Sequence, residues 1–380
     1  MKEITIDELK GWAGDTYELI DIRDDGLTSY GMIPGAVHIF VDDLETSDSL
    51  AAIPPEKKLV FYCEIGRMSK EIDDTLDHLR DRDCYSLSEG YVGYIRSGMT
   101  APADKEEKRK RAEESIQKKF HKQLFSPFAK ACKTYNLIED GDHIAVCISG
   151  GKDSMLMAKL FQEIKNHRQK EFELTFLVMD PGYNRENRAL IESNAEALGI
   201  PITVFESTIF DTVDTIEKNP CYLCARMRRG YLYSKAKELG CNKIALGHHY
   251  DDVIETILMG MIHGAQIQTM MPKLHSTNFE GMELIRPMYL VREADICAWR
   301  DYNDLHFLQC ACHFTDTCTT CHEDGTTSSK RLETKKLIAE LKKTNPFIES
   351  NIFRSVENVN LDTVIEYKKD GVRHNFLDEY

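Results

Sequence analysis

Ile144-Ala145-Val146-Cys147-Ile148 runs straight into Ser149-Gly150-Gly151-Lys152-Asp153-Ser154, and the reading of this junction decides the fold. Five consecutive apolar residues predict a strand buried on both faces. The two glycines allow backbone N–H groups to come close to an anion, the helix that follows contributes its dipole, and Lys152 contributes a full charge. The junction does not fit the Walker A pattern. Asp153 stands where a Ser or Thr is required, and no glycine lies five residues before Gly151. It is not a G-x-G-x-x-G turn either.

On both sides of the junction strands and helices alternate. Leu174–Met179, Ile202–Phe205 and Lys243–Leu246 predict strands; a segment from Ser154, Arg188–Leu198, Arg226–Leu239 and Asp252–Ile262 predict helices. This alternation predicts a doubly wound parallel sheet with its ligand crevice at the carboxyl ends of the strands. Earlier in the chain, Tyr17–Ile22, Val37–Ile39, Lys58–Tyr62 and Cys84–Leu87 predict buried strands and Ser69–Arg80 a helix. Both halves are therefore α/β. Between them, Met99-Thr100-Ala101-Pro102-Ala103 is a break. The stretch that follows, Lys105–Gln123, carries eight Lys/Arg against four Glu, which predicts a charged helical linker. The expected organisation is 1–100, a linker over 101–123, a nucleotide domain over 124–300, and a cysteine-containing region over 301–380.

Composition narrows the function classes. The chain has 380 residues, too many for one ordinary core, and 42% hydrophobic with 29% charged residues is a globular mixture. No apolar run approaches the roughly 18 residues of a membrane span, and the polar start MKEITIDELK predicts no signal peptide. A cytoplasmic protein without membrane association is expected, in which the 12 cysteines serve metal or sulfur chemistry rather than a disulfide framework. Net charge is −15, but residues 1–104 hold 10 Lys/Arg against 22 Asp/Glu, a balance of −12 that leaves −3 for the rest. Overall acidity disfavours general nucleic-acid affinity and leaves room for a local basic face on the second half.

A second constellation, Gly247-His248-His249-Tyr250-Asp251-Asp252, follows the Lys243–Leu246 strand. Hard oxygen ligands there suit Mg²⁺ and phosphate; the spacing does not match H-E-x-x-H zinc, and Asp251 can also cap the next helix. SGGKDS resembles the phosphate loop of the adenine-nucleotide α-hydrolase (PP-loop) family. That resemblance implies that Ser149, Gly150, Gly151, Lys152, Asp153 and Ser154 hold the phosphates of ATP, with Met179 near adenine and ribose. The enzymes of this family adenylate a carbonyl oxygen and release pyrophosphate.

Pro220-Cys221-Tyr222-Leu223-Cys224 opens a helix bearing Arg226, Arg228 and Arg229, a setting that stabilises thiolates. The order SGGKDS, PCxxCxxxRRGxLY, LGHHxDD, Met271–Leu274 (MPKL), Ile285–Met288 (IRPM) resembles the tRNA 2-thiocytidine synthetases, the TtcA-type branch, over residues 120–360. The resemblance implies a 4Fe-4S cluster held by Cys221, Cys224 and a later cysteine, which leaves one iron open to sulfide. For the later cysteine Cys312 is favoured, then Cys310, then Cys321. A separate zinc site of Cys310, Cys312, Cys318 and Cys321 is the alternative. Cys84, Cys132, Cys147, Cys241 and Cys297 read as small buried hydrophobes.

In the first hundred residues, strand Lys58–Tyr62 leads into Cys63-Glu64-Ile65-Gly66-Arg67-Met68-Ser69. A cysteine on a strand-to-helix loop has its sulfur among converging backbone N–H groups. Together with Ile20–Arg23, Gly31–Ala36 and Leu87–Tyr91, this order resembles a single rhodanese domain, which implies that Cys63 carries a persulfide. Two positions depart from the rhodanese pattern: Met68 where an arginine is usual, with Arg67 one place earlier, and Met32 where a histidine is usual. A merely structural domain is the alternative.

The combined expectation is an ATP- and Mg²⁺-dependent tRNA sulfurtransferase. O2 of cytidine 32 would be adenylated, and sulfur would be relayed from Cys63 through the cluster to C2. Lys152 and Asp153 are the catalytic candidates beside Cys63, and Arg226, Arg228, Arg229 and the 105–123 helix are candidate phosphate contacts. A cysteine desulfurase or inorganic sulfide or thiosulfate is the expected sulfur donor, and a homodimer is compatible with the sequence. The rivals are a 2-thiouridine synthetase and a non-catalytic iron–sulfur or zinc sensor that binds nucleotide.

Overall fold

Strand-forming runs bury alternate residues on opposite faces of two sheets. The computed structural model describes residues 1–28, 32–44, 50, 52–72, 82–97, 102–183, 185–207, 220–307 and 330–378, of which 25–26, 96, 102–104, 186, 220–226 and 332 are described by their backbone. Among these, contacts separate two units, Met1–His249 with 272–307, and Tyr250–Met271 with 330–378.

The first unit contains both large sheets. One is five-stranded and parallel, in the order Lys2–Ile4, Cys84–Leu87, Lys58–Tyr62, Tyr17–Asp21, Val37–His38. The other has six strands in the order Lys273–His275, Glu283–Ile285, Lys243–Ala245, His143–Ile148, Glu173–Asp180, Ile202–Glu206, parallel except for the first pair. The α/β class read from the sequence is what the chain adopts.

The side chains explain how the sheets share a body. Val60 and Tyr62 of one sheet and Ile144, Val146 and Ile148 of the other belong to a single apolar core. Their odd-numbered neighbours turn the other way: Leu59, Phe61 and Cys63 into a second core, Ala145 and Cys147 into a third. The charged stretch forms helix Pro102–Gln117 and a π-helical turn His121–Phe125, and it buries Ala112, Ser115 and Ile116. Trp299, fully buried on helix Glu293–Tyr302, donates its indole N–H to Ser115 Oγ at 3.0 Å.

The second unit holds helices Tyr250–Gly264, Lys330–Thr344 and Ile348–Ser355 and the hairpin Glu366–Lys369 with Val372–Asn375. Tyr250 stacks on Phe353 with ring centroids 4.4 Å apart. No helix among the described residues is long and apolar enough to cross a membrane.

Candidate functional site

Strand His143–Ile148 lies between Glu173–Asp180 and Lys243–Ala245. The chain moves outward from it through Glu173–Asp180 and Ile202–Glu206, then returns on its other side, so the strand order reverses between His143–Ile148 and Lys243–Ala245. In open α/β sheets the ligand crevice opens at such a reversal, at the carboxyl ends. The segments leaving these two strands are Ser149–Gly151 and Leu246–His249.

The first segment is built to leave donors open. Gly150 has φ +87°, in the left-handed region, and a Cβ on it would stand 2.5 Å from Ile191 Cγ1, so both conformation and space demand glycine. Gly151 caps helix Lys152–Asn166 with no side-chain oxygen on the first-turn N–H groups, the arrangement that receives phosphate oxygens. Ser154 braces the loop: its Oγ donates to Gly151 O at 3.0 Å and accepts from Ser149 N at 3.1 Å. Gly247 lies against the same turn, and a Cβ there would be 3.3 Å from Ser154 N.

Lys152 is 3% exposed, and its Nζ donates to Asp153 Oδ2 at 3.2 Å and to Glu293 Oε1 at 3.3 Å. Glu293 is the first residue of helix Glu293–Tyr302, where the helix dipole favours a carboxylate. Asp153 Oδ1 is buried and accepts no hydrogen bond, although Lys152 Nζ and His249 Nε2 are 3.2 and 3.9 Å from it. A carboxylate oxygen in that state can serve as one hard ligand to Mg²⁺ carried with a triphosphate, whose own oxygens would supply others. His248 Nδ1 accepts from Arg286 Nε at 3.3 Å, and both Arg286 and His249 are buried.

On the other flank Met179 is buried, and Asp180 anchors the turn that follows it. Its Oδ1 accepts from Gly182 N and Tyr183 N at 2.9 and 2.7 Å, and Arg188 Nη1 donates to Oδ2 at 3.0 Å. Asp251 and Asp252 occupy the first turn of Tyr250–Gly264 in the second unit. There Asp252 accepts from Arg331, which also donates to Glu255 at 2.7 Å.

The cysteines divide into three groups. Cys132, Cys147 and Cys241 are buried, and burial pushes the Cys147 thiol up to about 12. Cys84 and Cys297 are only half-buried, a correction to their reading as buried hydrophobes. Cys297 lies one turn beyond Glu293; burial raises its pKa, opposed by Lys152 and Arg300. Cys221 and Cys224 fall in the first turns of helix Pro220–Glu238, which opens at Pro220 as the sequence suggests, since proline suits a first helical position. Their side chains and that of Arg226 lie outside the described residues, as do Cys310, Cys312, Cys318 and Cys321 and so the zinc alternative. Among the described residues no group of three or more His, Cys, Asp or Glu is gathered to hold a metal ion.

Cys63 follows strand Lys58–Tyr62 and is 4% exposed, with its Sγ–H directed at Ser69 Oγ at 3.8 Å; Ser69 pairs with Ser86 at 2.8 Å. Gly66 has φ +81°, and a Cβ there would fall 2.0 Å from Ser88 O. Beneath the loop, Arg23 binds Asp21 at 2.7 Å and Glu64 at 2.8 Å. Arg67 is exposed and lies 3.7 Å from Glu71. The predicted helix Ser69–Arg80 is seen as Met68–Glu71; residues 73–81 lie outside the described residues.

Sequence reasoning missed Glu293, Arg286 and Ser86. The IRPM motif, which contains Arg286, was the one available signal for that part of the site.

The PP-loop domain family matches residues 113–312, and the rhodanese-like domain family matches residues 5–97. A curated tRNA-cytidine(32) 2-sulfurtransferase of Syntrophotalea carbinolica is 35% identical over 234 residues, covering 60% of this chain and 86% of that protein. Its counterpart from Nitrosospira multiformis is 32% identical over 255 residues, covering 66% and 81%. Among solved structures, the U34-tRNA thiolase NcsA from Methanococcus maripaludis with its [4Fe-4S] cluster is 22% identical with a TM-score of 0.48, covering 61% of this chain and 76% of that one.

Proposed function

The chain belongs to the PP-loop family, in its tRNA 2-sulfurtransferase branch and with a rhodanese-like domain before the PP-loop domain, and from that premise we propose that it thiolates cytidine 32 of tRNA in an ATP-dependent reaction. The observation that carries the proposal is the uncapped helix start behind Gly150 and Gly151, with Lys152 and Asp153 in its first turn at the point of strand reversal.

O2 of the cytosine attacks the α-phosphorus of ATP, and pyrophosphate leaves. A sulfur nucleophile then adds to C2, and the former O2 departs with AMP. First-turn N–H groups and Lys152 stabilise charge that develops on the phosphate oxygens, while Asp153 Oδ1 would hold Mg²⁺. Glu293 keeps the buried Lys152 charge compensated before ATP arrives. Arg228, Arg229 and the cations of the 105–123 helix are proposed to meet the tRNA backbone.

Cys221, Cys224 and a later cysteine, Cys312 or Cys310, would hold a 4Fe-4S cluster; their C-x-x-C spacing at a helix start suits thiolate ligation. Such a cluster supplies an iron site where sulfide can bind. Cys63 would carry sulfur as a persulfide taken from a cysteine desulfurase or from thiosulfate.

The test is AMP release from ATP with anaerobically reconstituted protein and tRNA, followed by mass spectrometry of the digested nucleosides. 2-Thiocytidine formed only when ATP and tRNA are both present is the expected result. AMP with 2-thiouridine would move the target base, and no AMP with any tRNA would leave a nucleotide-binding sensor.

A further inference from the structure

We infer that Arg111 and Lys119, set beside the Tyr302 ring, form a phosphate-binding subsite for the backbone of tRNA. The inference rests on the tRNA reading above and narrows a broad cationic stretch to two residues.

The stretch Lys105–Gln123 carries eight Lys/Arg and four Glu in a chain of net charge −15, so its surplus of cations is local. Half of these cations are held by carboxylates. Lys105 binds Glu196 at 2.7 Å, Arg109 and Lys110 share Glu106 at 2.9 and 3.5 Å, and Lys118 binds Glu114 at 2.8 Å. Glu113 is taken by the buried Lys159 of helix Lys152–Asn166 at 2.7 Å.

Arg111 and Lys119 are held differently. Both are exposed, and among the described residues neither pairs with a carboxylate. Arg111 Nη2 donates to the Tyr302 carbonyl at the carboxyl end of helix Glu293–Tyr302, and its guanidinium carbon is 5.1 Å from the centroid of the Tyr302 ring. Lys119 Nζ is 3.7 Å from the same centroid. Two like charges are thus brought to one ring with neutral partners. They repel each other, and an anion beside them removes that cost. Phosphate suits the pair, because the guanidinium fork matches its oxygens and the ammonium serves as a point charge.

The two side chains line a groove of about 580 Å³ between helix Pro102–Gln117 and Tyr302. Its floor is fixed. Ser115, 4% exposed, accepts at Oγ from Trp299 Nε1 at 3.0 Å and from Asn303 Nδ2 at 3.1 Å, which ties the two walls together. The buried Phe120 meets the Tyr302 ring edge-on, with centroids 5.7 Å apart. The cations therefore stand on a preformed surface, which lowers the ordering cost of binding. The rim also carries Glu106, Glu107 and Glu114. Glu106 and Glu114 are compensated by the pairs above, which leaves Glu107 against Arg111 and Lys119.

A free nucleotide has its own place at the Gly150–Gly151 turn, where first-turn N–H groups and Lys152 are gathered. An exposed pair of cations on an aromatic ring suits a polyanion instead, since each phosphate contact releases counterions and adds affinity along a strand. Transfer RNA is the polyanion that the proposed reaction supplies.

The experiment titrates tRNA into full-length protein between about 50 and 200 mM salt. Arg111→Gln/Lys119→Gln should bind tRNA about tenfold more weakly at the lower salt, and the slope of log affinity against log salt should become shallower by about 1.4–1.8, the loss of two phosphate contacts. KM for ATP and thiosulfate-to-cyanide sulfur transfer should stay at wild-type values. Unchanged tRNA affinity and slope would overturn the subsite. A raised KM for ATP with tRNA binding intact would make the groove a nucleotide site and overturn it as well. Lys105→Gln removes a cation of the same helix that Glu196 holds, and the slope should not change. An equal loss per charge would reduce the effect to net charge and refute the inference. Tyr302→Leu should weaken tRNA binding about threefold, the scale of one exposed cation–π contact, and Tyr302→Phe should match the wild type. Loss with both would remove the ring as the positioning group. Wild-type protein that binds no tRNA takes the proposed function and this inference together, and so is told apart from a change confined to the variants.

Discussion

The loop after His143–Ile148 and the loop after Lys58–Tyr62 use the same backbone device for different chemistry. Each leaves a buried parallel strand, turns through a glycine with φ near +80 to +90° and enters a helix: Gly150 at +87° in one, Gly66 at +81° in the other. They differ in where the charge is kept. The first holds a cation inside, Lys152 at 3% exposure between two carboxylates. The second keeps its buried cation, Arg23, paired with Asp21 and with Glu64 of the loop itself, and leaves a thiol inside. In the proposed roles, the residue that shares the turn sets the chemistry: Lys152 meets phosphate and Cys63 carries sulfur.

The largest effect that can break this comparison is at Lys152. If its charge serves the phosphates of the transition state, Lys152→Ala should lower kcat/KM for ATP by roughly 100- to 1,000-fold, the scale of about 2.7–4 kcal/mol for one preorganised donor. Thiosulfate-to-cyanide sulfur transfer at Cys63 should stay at the wild-type rate. Equal loss in both assays would mean that the substitution unfolds the shared core, and unchanged ATP kinetics would place the nucleotide elsewhere.

The two glycines sharpen the comparison. Alanine at either position must adopt a left-handed conformation that costs about 1–2 kcal/mol, but the obstacles differ. At Gly150 the new Cβ meets the side chain of the buried Ile191, which must repack within the core; at Gly66 it meets the backbone of Ser88 at 2.0 Å, which cannot move without the strand Cys84–Leu87. Gly150→Ala should therefore raise KM for ATP roughly tenfold and lower Tm by a few degrees. Gly66→Ala should lower Tm more and abolish sulfur transfer to cyanide. The opposite ranking would show that Ile191 is the more rigid wall.

Much of this architecture is legible in the residue order itself, and the reason is local. Strand runs, glycine turns and the SGGKDS order are short-range patterns, so residue type alone places Ile144–Ser154 and Lys58–Ser69. It does not place Lys2–Ile4, because three residues become a strand only by pairing with Cys84–Leu87. Nor does it place Lys273–His275 and Glu283–Ile285, where MPKL and IRPM read as motifs but not as paired strands. The GHHYDD cluster reads as one group, yet Asp252 turns to Arg331, 79 residues away. Glu293 is illegible for the same reason: 141 residues separate it from Lys152, and no spacing rule links them.

Glu293 carries the smallest predicted effect and the finest division between the two loops. Its carboxylate both orders Lys152 and presents negative charge where a triphosphate must bind; at 17% side-chain exposure that charge is weakly screened. Glu293→Gln keeps the shape and an accepting oxygen while it removes the charge. ATP should then bind more readily and react more slowly, with KM and kcat each falling about threefold, within the 0.5–1.5 kcal/mol of one hydrogen bond. A raised KM with unchanged kcat would instead make Glu293 a ligand for Mg²⁺ entering with ATP. The thiol loop has no counterpart to this competition, because its buried cation, Arg23, is already paired with two carboxylates and the sulfur is directed at Ser69. Glu64→Gln should accordingly act on Tm and leave the KM for thiosulfate unchanged, and a kinetic effect there as large as that of Glu293→Gln would erase the distinction between the loops.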